Sequence, residues 1–190
     1  MSIKELQTPT DRELISEALH DKQQFAKIVD RYEAALKRYL VRLGCRDSHD
    51  AQDILQNVFI KVYVNLNDYD STLKFSSWLY RITHNEAIDF FRKRKVRPIV
   101  LQHQDMLRIF ESLSDETDIS ESLHRKQNNE VINKALLRLE SLYRDVLILR
   151  FLEEKSYDDI SDILKVPAGT VAIRINRGKK LLRKILDTKM

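Results

Sequence analysis

The sequence predicts an all-α protein of two small helical domains joined by a flexible linker, with the second domain a helix-turn-helix. Three observations support this fold class. Only three Gly and three Pro occur among 190 residues, while 33% of the residues are charged, so turn signals are scarce and good helix formers are common. No recurring period-2 alternation of Val, Ile and Thr marks a strand. Apolar residues recur at helical spacing in two stretches that a polar stretch separates.

The first predicted domain covers residues 1–95. Its apolar periodicity is interrupted only by short polar stretches, and four amphipathic helices follow from it. We expect them over Asp11 to about His20, Phe25 to Leu43, Ser48 to Leu66, and Ser76 to Arg94.

The pattern loosens in the predicted linker, residues 96–122. This stretch opens with Arg97-Pro98 and ends in SLSDETDISES, which has too few apolar residues to bury a stripe. Periodicity then returns in the second predicted domain, residues 123–190. We expect its helices near Val131 to Leu139, Ser141 to Glu153, Tyr157 to Leu164, and Ala168 to Leu186.

The net charge of +4 and isoelectric point near 9.1 are modest, so the position of the charges is more informative than their sum. One acid-free cluster contains Arg92, Lys93, Arg94, Lys95 and Arg97. The stretch from Lys165 to Met190 carries eight Lys or Arg against a single acid, Asp187. Such clusters are either solvated helix faces or contacts for a polyanion.

Cys45 is the only cysteine, which excludes an intrachain disulfide and a cysteine-based zinc site. The N-terminal residues lack the apolar core of a signal peptide, and no apolar run reaches the length of a membrane span. We therefore expect a soluble cytoplasmic protein that does not insert into a membrane.

The C-terminal segment predicts two short helices joined by a tight turn. Ser156 is placed to cap the first, and Pro167 to set the first turn of the second. At 100° per residue the second helix has a buried stripe of Val171, Ile175, Gly178, Leu182 and Ile185. The opposite face carries Ala172, Ile173, Asn176, Arg177, Lys180, Arg183 and Lys184. This arrangement is typical of DNA-reading helix-turn-helix units, although a generic amphipathic pair would share it.

This segment resembles region four of bacterial RNA polymerase sigma factors. The matching residues are Ser156, Tyr157, Ile160, Leu164, Val166, Pro167, Gly169, Thr170, Val171, Arg174, Ile175, Arg177 and Gly178. The sequence departs from the family pattern at Ala172 and Ile173, where a basic residue and a serine are usual. The resemblance implies an upstream promoter contact made by Thr170, Ala172, Ile173, Arg174, Asn176, Arg177 and Lys180. On this reading the apolar Ile173 would press on thymine methyl groups.

The third predicted helix has two distinct faces. One is apolar, and the other presents Asp53, Gln56, Asn57, Ile60 and Val64, either as a protein contact or as a solvated surface with isolated aliphatics. Asp53, Gln56 and Phe59 match the D-x-x-Q-x-x-F pattern of sigma region 2.2, whereas Asn57 departs from the acid that is common there. The resemblance implies that Asp53, Gln56, Asn57 and Ile60 bind the clamp helices of the polymerase beta-prime subunit.

The fourth predicted helix resembles sigma regions 2.3 and 2.4, with matches at Phe75, Trp78, Leu79, Ile82, Asn85, Asp89 and Arg92. We expect Phe75, Leu79, Ile82 and Phe90 to pack, and Asp89 to pair with a nearby Arg rather than to read a base. The resemblance implies downstream promoter recognition and melting by Asn67, Lys74, Trp78, Arg81, Asn85, Ile88 and Arg92. Phe75 and Trp78 also fit a purely structural role in the core.

The motifs occur in sigma-factor order, with no extended third region between them. This is typical of the extracytoplasmic-function (ECF) group, whose members bind core polymerase (beta-prime clamp helices and beta flap) and promoter DNA. The resemblance further implies an anti-sigma partner, a stress or envelope response, no enzymatic activity of its own and no metal or other cofactor. The alternatives are a stand-alone helix-turn-helix regulator and a small nuclease or phosphotransferase. The sequence lacks H-E-x-x-H, a Gly-rich phosphate loop and a nucleophile elbow, which the enzymes would need.

Overall fold

The computed structural model describes residues 8–45, 47–94 and 139–187, and all regular structure within those ranges is helical. The all-α prediction is therefore confirmed. Four helices precede the gap after residue 94: α1 Asp11–His20, α2 Phe25–Leu43, α3 Ser48–Val64 and α4 Phe75–Arg94. Three follow it: α5 Ser141–Phe151, α6 Tyr157–Leu164 and α7 Ala168–Asp187. The predicted linker over 96–122, and the helix expected to begin near Val131, lie outside the described residues.

Side-chain caps explain why several helices begin where the sequence predicts. Thr10 forms a capping box with Glu13 at the start of α1, and Ser156 forms one with Asp159 at the start of α6. The Asp47 carboxylate accepts a hydrogen bond from the His49 amide at the start of α3.

Two helices end earlier than predicted. α3 stops at Val64 because Asn65 closes it, donating from its side-chain amide to the Lys61 carbonyl at 2.7 Å. Leu66 then begins a 3-10 turn, Leu66–Asp68, where it is buried. α5 stops at Phe151, so Glu153 falls outside the helix.

Helices α1 to α4 form the first body, residues 8–94. α3 and α4 pack against each other, and α2 packs against both. Their shared core contains Leu36, Tyr39, Leu40, Val58 and Leu79, none of which has measurable solvent exposure. The predicted packing is confirmed, because Phe75 and Leu79 are buried and Ile82 and Phe90 are half-buried against the same core. Phe91, which the prediction left out, is buried as well.

Helices α5 to α7 form the second body, residues 139–187. α7 packs along α5, and α6 lies against both. The predicted buried stripe of α7 is confirmed, because Val171, Ile175, Gly178 and Leu182 are buried and Ile185 is half-buried. The two bodies are also in contact, chiefly through α4 of the first and α6 of the second.

Candidate functional site

The outward face of α3 carries a mixed polar and aliphatic surface, here called the α3 strip: Asp53, Gln56, Asn57, Ile60 and Val64. All five side chains are exposed, as the sequence predicts. Ile60 and Val64 have 53% and 66% of their surface in contact with solvent. The opposite side of the helix is buried through Ala51, Ile54, Leu55, Val58 and Val62, so the core fixes which residues face outward.

Beside the α3 strip lies an apolar groove of about 390 Å³, lined by Phe25, Val29, Gln56, Phe59, Ile60 and Tyr63. The Phe25 and Tyr63 rings meet edge to face across α2 and α3, with centroids 5.2 Å apart. No sequence motif indicates that residues of α2 contribute to this surface. Only the packing of α2 against α3 brings them beside the strip.

Helix α4 places the predicted downstream DNA residues at different depths. Asn85 and Arg92 are exposed, whereas Arg81 and Ile88 are half-buried. Arg92 donates from Nη2 to Asp89 Oδ1 at 2.9 Å, so Asp89 is the structural partner of an arginine, as predicted. Ile88 packs against the hydrophobic core, so only part of its side chain is available on this face.

Trp78 belongs to an aromatic cluster at the start of α4. Its ring centroid lies 5.7 Å from that of Phe75 and 5.2 Å from that of Tyr69. Only 8% of its surface is exposed. A base can therefore stack on Trp78 only if this cluster opens, which distinguishes Trp78 from the exposed Asn67 on the segment before it.

Lys74, which precedes α4, is exposed but not free of partners. Its Nζ lies 3.0 Å from Asp159 Oδ1 on α6, and Ser77 donates to the same carboxylate oxygen at 3.1 Å. Partial burial raises the pKa of Asp159, but hydrogen bonds from Ser156, Lys74 and Ser77 outweigh it and lower the pKa to about 2. Asp159 is therefore a carboxylate at neutral pH.

The turn between α6 and α7 has the compact geometry of a helix-turn-helix. Lys165 closes α6 in the left-handed region at φ 54° and ψ 46°. Ser161 donates from its hydroxyl to the Val166 carbonyl at 2.7 Å, which holds the turn closed. The Pro167 carbonyl then accepts from the Val171 amide at 3.0 Å, as expected for a residue that starts a helix.

The outer face of α7 presents the residues that the sequence predicts for DNA recognition. Ile173, Asn176, Arg177 and Lys180 are exposed, and Ile173 has 53% of its surface in solvent. Thr170, Ala172 and Arg174 are half-buried at the edges of this face. An aliphatic side chain next to an amide and a guanidinium is suited to base edges in the major groove.

The part of the chain that the structure describes was also compared with the requirements of a metal site, a reactive thiol and a membrane-spanning helix. In those residues no three His, Cys, Asp or Glu side chains are placed to hold a metal ion. Cys45 is buried, and burial raises the pKa of its thiol to about 11, so the reactive thiolate is scarce at neutral pH. None of the described helices has the length and apolar character needed to cross a membrane.

Comparison with known proteins places both bodies in one family. The family model for Sigma-70 region 2 matches residues 28–97, and that for Sigma-70 region 4 matches residues 129–182. The chain is 35% identical over 170 residues to the ECF RNA polymerase sigma factor SigW of Bacillus subtilis, covering 87% of this chain and 90% of that protein. It is 29% identical over 171 residues to the RNA polymerase sigma-H factor of Pseudomonas aeruginosa, covering 88% of each.

Solved structures share the fold. CnrH, solved in complex with the cytosolic domain of CnrY, matches with a TM-score of 0.67 at 22% identity, covering 95% of this chain and 99% of that one. The sigma factor RpoE of Bartonella quintana, solved with the anti-sigma factor NepR, matches with a TM-score of 0.60 at 20% identity, covering 88% and 99%.

These matches run through both bodies and confirm the family that the motifs indicate. The chain belongs to the ECF group of RNA polymerase sigma factors, which bind core RNA polymerase and direct promoter-specific initiation of transcription.

Proposed function

We propose a division of labour between the two bodies. Residues 1–95 form the unit that docks on polymerase and opens the promoter. Residues 123–190 read the upstream promoter element, and residues 96–122 link the two units. The support for this division is that the groups of candidate residues lie on separate sets of helices. Within the described residues, the α3 strip and α4 belong to the first body and the outer face of α7 to the second.

The α3 strip docks on the beta-prime clamp helices through Asp53, Gln56, Asn57 and Ile60. The observation that supports this assignment is the exposure of Ile60 and Val64 beside polar groups, next to an apolar groove. Aliphatic side chains held in water gain free energy when a partner covers them. Phe25, Val29 and Tyr63 extend the apolar part of this surface and provide a recess for a partner side chain.

Downstream recognition and melting fall to the α4 side of the first body. The residues proposed for this task are Asn67, Lys74, Trp78, Arg81, Asn85, Ile88 and Arg92. Amides and cations suit unpaired bases and phosphates, and an aromatic ring suits stacking. Trp78 takes part only when the aromatic cluster with Tyr69 and Phe75 opens, whereas Asn85 and Arg92 are exposed on the helix.

Upstream recognition falls to α7. Ile173, Asn176 and Arg177 contact base edges, since a recognition helix reads bases mainly through its N-terminal part. Thr170, Ala172, Arg174 and Lys180 flank them. Phosphate contacts farther along the helix position the protein without specifying sequence.

The single observation that supports the assignment most strongly is the combination, in one chain, of an exposed apolar α3 strip with a helix-turn-helix whose outer face is basic. A regulator that acts alone on duplex DNA has no need of the first. The test is run-off transcription with purified core polymerase, this chain and genomic promoter fragments. Discrete transcripts that require both proteins support the proposal. DNA binding that is equally strong and specific without polymerase would contradict it.

The regulatory setting is proposed by analogy. CnrH and the Bartonella RpoE were each solved with a second protein, and NepR is an anti-sigma factor. We infer that an anti-sigma factor also masks this chain, that the chain acts in the cytoplasm in a stress or envelope response, and that it has no catalytic activity of its own. Co-purification from cells followed by identification of the bound protein tests the partner.

A further inference from the structure

The connection between α3 and α4, residues 65–74, carries two side chains that the proposed function assigns to the opened promoter. Asn67 lies near its start and Lys74 at its end, and both are exposed. Apart from the 3-10 turn Leu66–Asp68, the connection has no helix of its own. Its hydrogen bonds and ring contacts therefore decide how these two side chains are placed relative to each other.

Hydrogen bonds close the second half of the connection into a turn. Asp70 Oδ1 accepts from the Thr72 amide at 2.9 Å and from the Thr72 hydroxyl at 2.7 Å. The Leu73 amide donates to the Asp70 carbonyl at 3.1 Å. The Tyr69 hydroxyl donates to the Leu73 carbonyl across the turn. The position of the Tyr69 side chain therefore helps to fix the path by which the chain enters α4.

Ring contacts connect Tyr69 to helix α2. The Tyr69 ring meets the buried Phe75 ring edge to face, with centroids 5.2 Å apart. Phe75 in turn meets the Tyr32 ring edge to face at 5.8 Å. Phe75 thus lies between two tyrosine rings, one from α2 and one from the connection. A shift of the Tyr32 ring changes the surface against which Phe75 and Tyr69 pack.

Helix α1 fixes Tyr32 through a carboxylate in its first turn. Asp11 Oδ2 accepts from the Tyr32 hydroxyl at 2.6 Å, and its Oδ1 accepts from Arg31 Nη1 at 3.0 Å. Both are hydrogen bonds to a charged group, which are the stronger kind. The charge of Asp11 also acts on the connection: burial raises the pKa of Tyr69, and the charges of Asp11 and Asp70 raise it further. Tyr69 therefore stays protonated and able to donate.

We propose that Asp11 and Tyr32 are positioning residues for promoter opening: through the aromatic cluster they hold the α3–α4 connection in the shape that presents Asn67 and Lys74 to the unpaired strand. An amide and a cation suit unpaired bases and phosphates. The inference rests on the proposed function for the roles of Asn67 and Lys74. The link from Asp11 to the aromatic cluster does not depend on that function and is measurable without polymerase or DNA.

The first measurement is the quenching of Trp78 fluorescence by acrylamide in the free chain. Trp78 is the only tryptophan, and its ring lies 5.2 Å from that of Tyr69. Tyr32→Phe removes only the hydroxyl that Asp11 accepts, and Asp11→Asn removes the charge with little change of shape. We expect each to raise the quenching constant about twofold, because a loosened cluster exposes the indole more often.

Glu13→Gln is the matched control for Asp11→Asn. It removes a negative charge from the same first turn of α1, where Glu13 contacts Thr10 in the capping box. We expect parental quenching in this control, and circular dichroism checks that every variant is folded. Parental quenching in Tyr32→Phe and Asp11→Asn overturns the link to the cluster. An equal rise in Glu13→Gln also overturns it, since the effect would then come from α1 as a whole.

The second measurement is the affinity of holoenzyme for a promoter fragment, identified by run-off transcription, whose downstream element is left single-stranded. We expect Tyr32→Phe and Asp11→Asn to bind this fork about tenfold more weakly, as for the loss of one hydrogen bond to a charged group. Their affinity for core polymerase, and for duplex DNA that ends before the fork, should be parental. Glu13→Gln should match the parent chain throughout. Parental fork affinity in Tyr32→Phe overturns the positioning role.

A double-mutant cycle separates positioning from a general structural effect. In a chain that already carries Asn67→Ala and Lys74→Ala, adding Tyr32→Phe should weaken fork binding no further, because the hydroxyl acts through those two side chains. A full additional loss overturns the positioning role. If the proposed function fails, Asn67→Ala with Lys74→Ala leaves fork binding unchanged. The role in promoter opening is then overturned too, while the quenching of Trp78 still responds to Tyr32→Phe.

Discussion

His84 of α4 and Asp145 of α5 face each other across the two bodies, with Nε2 and Oδ2 3.9 Å apart. Tyr39 on α2 places its hydroxyl 3.0 Å from His84 Nδ1, and the neighbouring Arg144 Nε lies 3.5 Å from Asp145 Oδ1. Burial lowers the pKa of His84, while Asp145 raises it and Arg144 lowers it further. Burial raises the pKa of Asp145 against the opposing influence of His84 and Arg144.

These two shifts predict opposing pH dependences. A histidine whose pKa is lowered by folding destabilises the folded protein as the pH falls below 6.5, the value in the unfolded chain. The reason is that the unfolded chain takes up the proton first. An aspartate whose pKa is raised by folding stabilises the folded state when it is protonated. Its contribution to the free energy of unfolding is therefore lost as the pH rises from 3.8 through that raised pKa. In the parent chain the two groups therefore contribute to the pH dependence of the free energy of unfolding with opposite signs.

Single substitutions are expected to unmask each slope. Asp145→Asn keeps the His84 contribution only, so on acidification below about pH 6.5 the urea midpoint should fall more than in the parent chain. His84→Gln keeps the Asp145 contribution only, so on acidification the midpoint should fall less than in the parent chain. Trp78 is the only tryptophan and reports unfolding by fluorescence. A change in the same direction relative to the parent chain in both variants would contradict the assignment.

Gly178 of α7 packs closely against α5. A Cβ at this position would lie 3.3 Å from Leu147 Cδ1 and 3.4 Å from Tyr143 Cβ. Gly178→Val therefore forces extra methyl groups into a packed contact, and we expect it to lower the free energy of unfolding by about 1 to 3 kcal/mol. Thermal unfolding followed by circular dichroism measures this.

Gly169 provides the matched control on the same helix. A Cβ there meets nothing within 4 Å. Gly169→Ala should leave the midpoint unchanged or raise it, since alanine gains up to about 1 kcal/mol over glycine in a helix. Equal unfolding midpoints for the Gly178→Val variant and the parent chain would contradict the tight packing of α7 on α5 at this position.

Residues of α7 that contact bases and residues that contact phosphates should affect DNA binding differently when they are replaced. Replacing Arg177 by Ala should cost about 1 to 3 kcal/mol and relax preference at one base position, if its guanidinium forks to a guanine. Replacing Lys184 by Ala should weaken all sequences alike and reduce the salt slope by about one. Holoenzyme binding to a library randomised in the upstream element, at two salt concentrations, measures both. An Arg177→Ala variant with an unchanged preferred sequence would contradict its role as a base reader.

Local sequence signals were sufficient for most of the helices. Caps such as Thr10, Asp47 and Ser156 mark helix starts, and the 3.6-residue period separates the buried face of α3 from its exposed strip. The period is less decisive where a helix is covered on several sides. α4 buries Phe75, Trp78, Tyr80 and Phe91, so a single stripe does not describe it.

The contacts between the bodies had no local signal. Arg42 and Glu153 are 111 residues apart in the chain, and neither lies in a motif that indicates a buried pair. Asp159 completes the Ser156 capping box at the start of α6, but tertiary packing also places Lys74 and Ser77 against it. The groove beside the α3 strip likewise depends on Phe25 and Val29, which α2 contributes.

In the proposed function this chain binds core polymerase through the α3 strip. The most direct test is the affinity of purified core polymerase for a chain carrying Gln56→Lys and Ile60→Lys, both at exposed positions. The control carries Ser16→Lys and Leu19→Lys, which likewise replace a polar and an aliphatic residue on an exposed helix face. We expect unchanged helicity in both, at least about thirtyfold weaker binding for the strip variant, and parental affinity for the control. Parental affinity in the strip variant would contradict the claim.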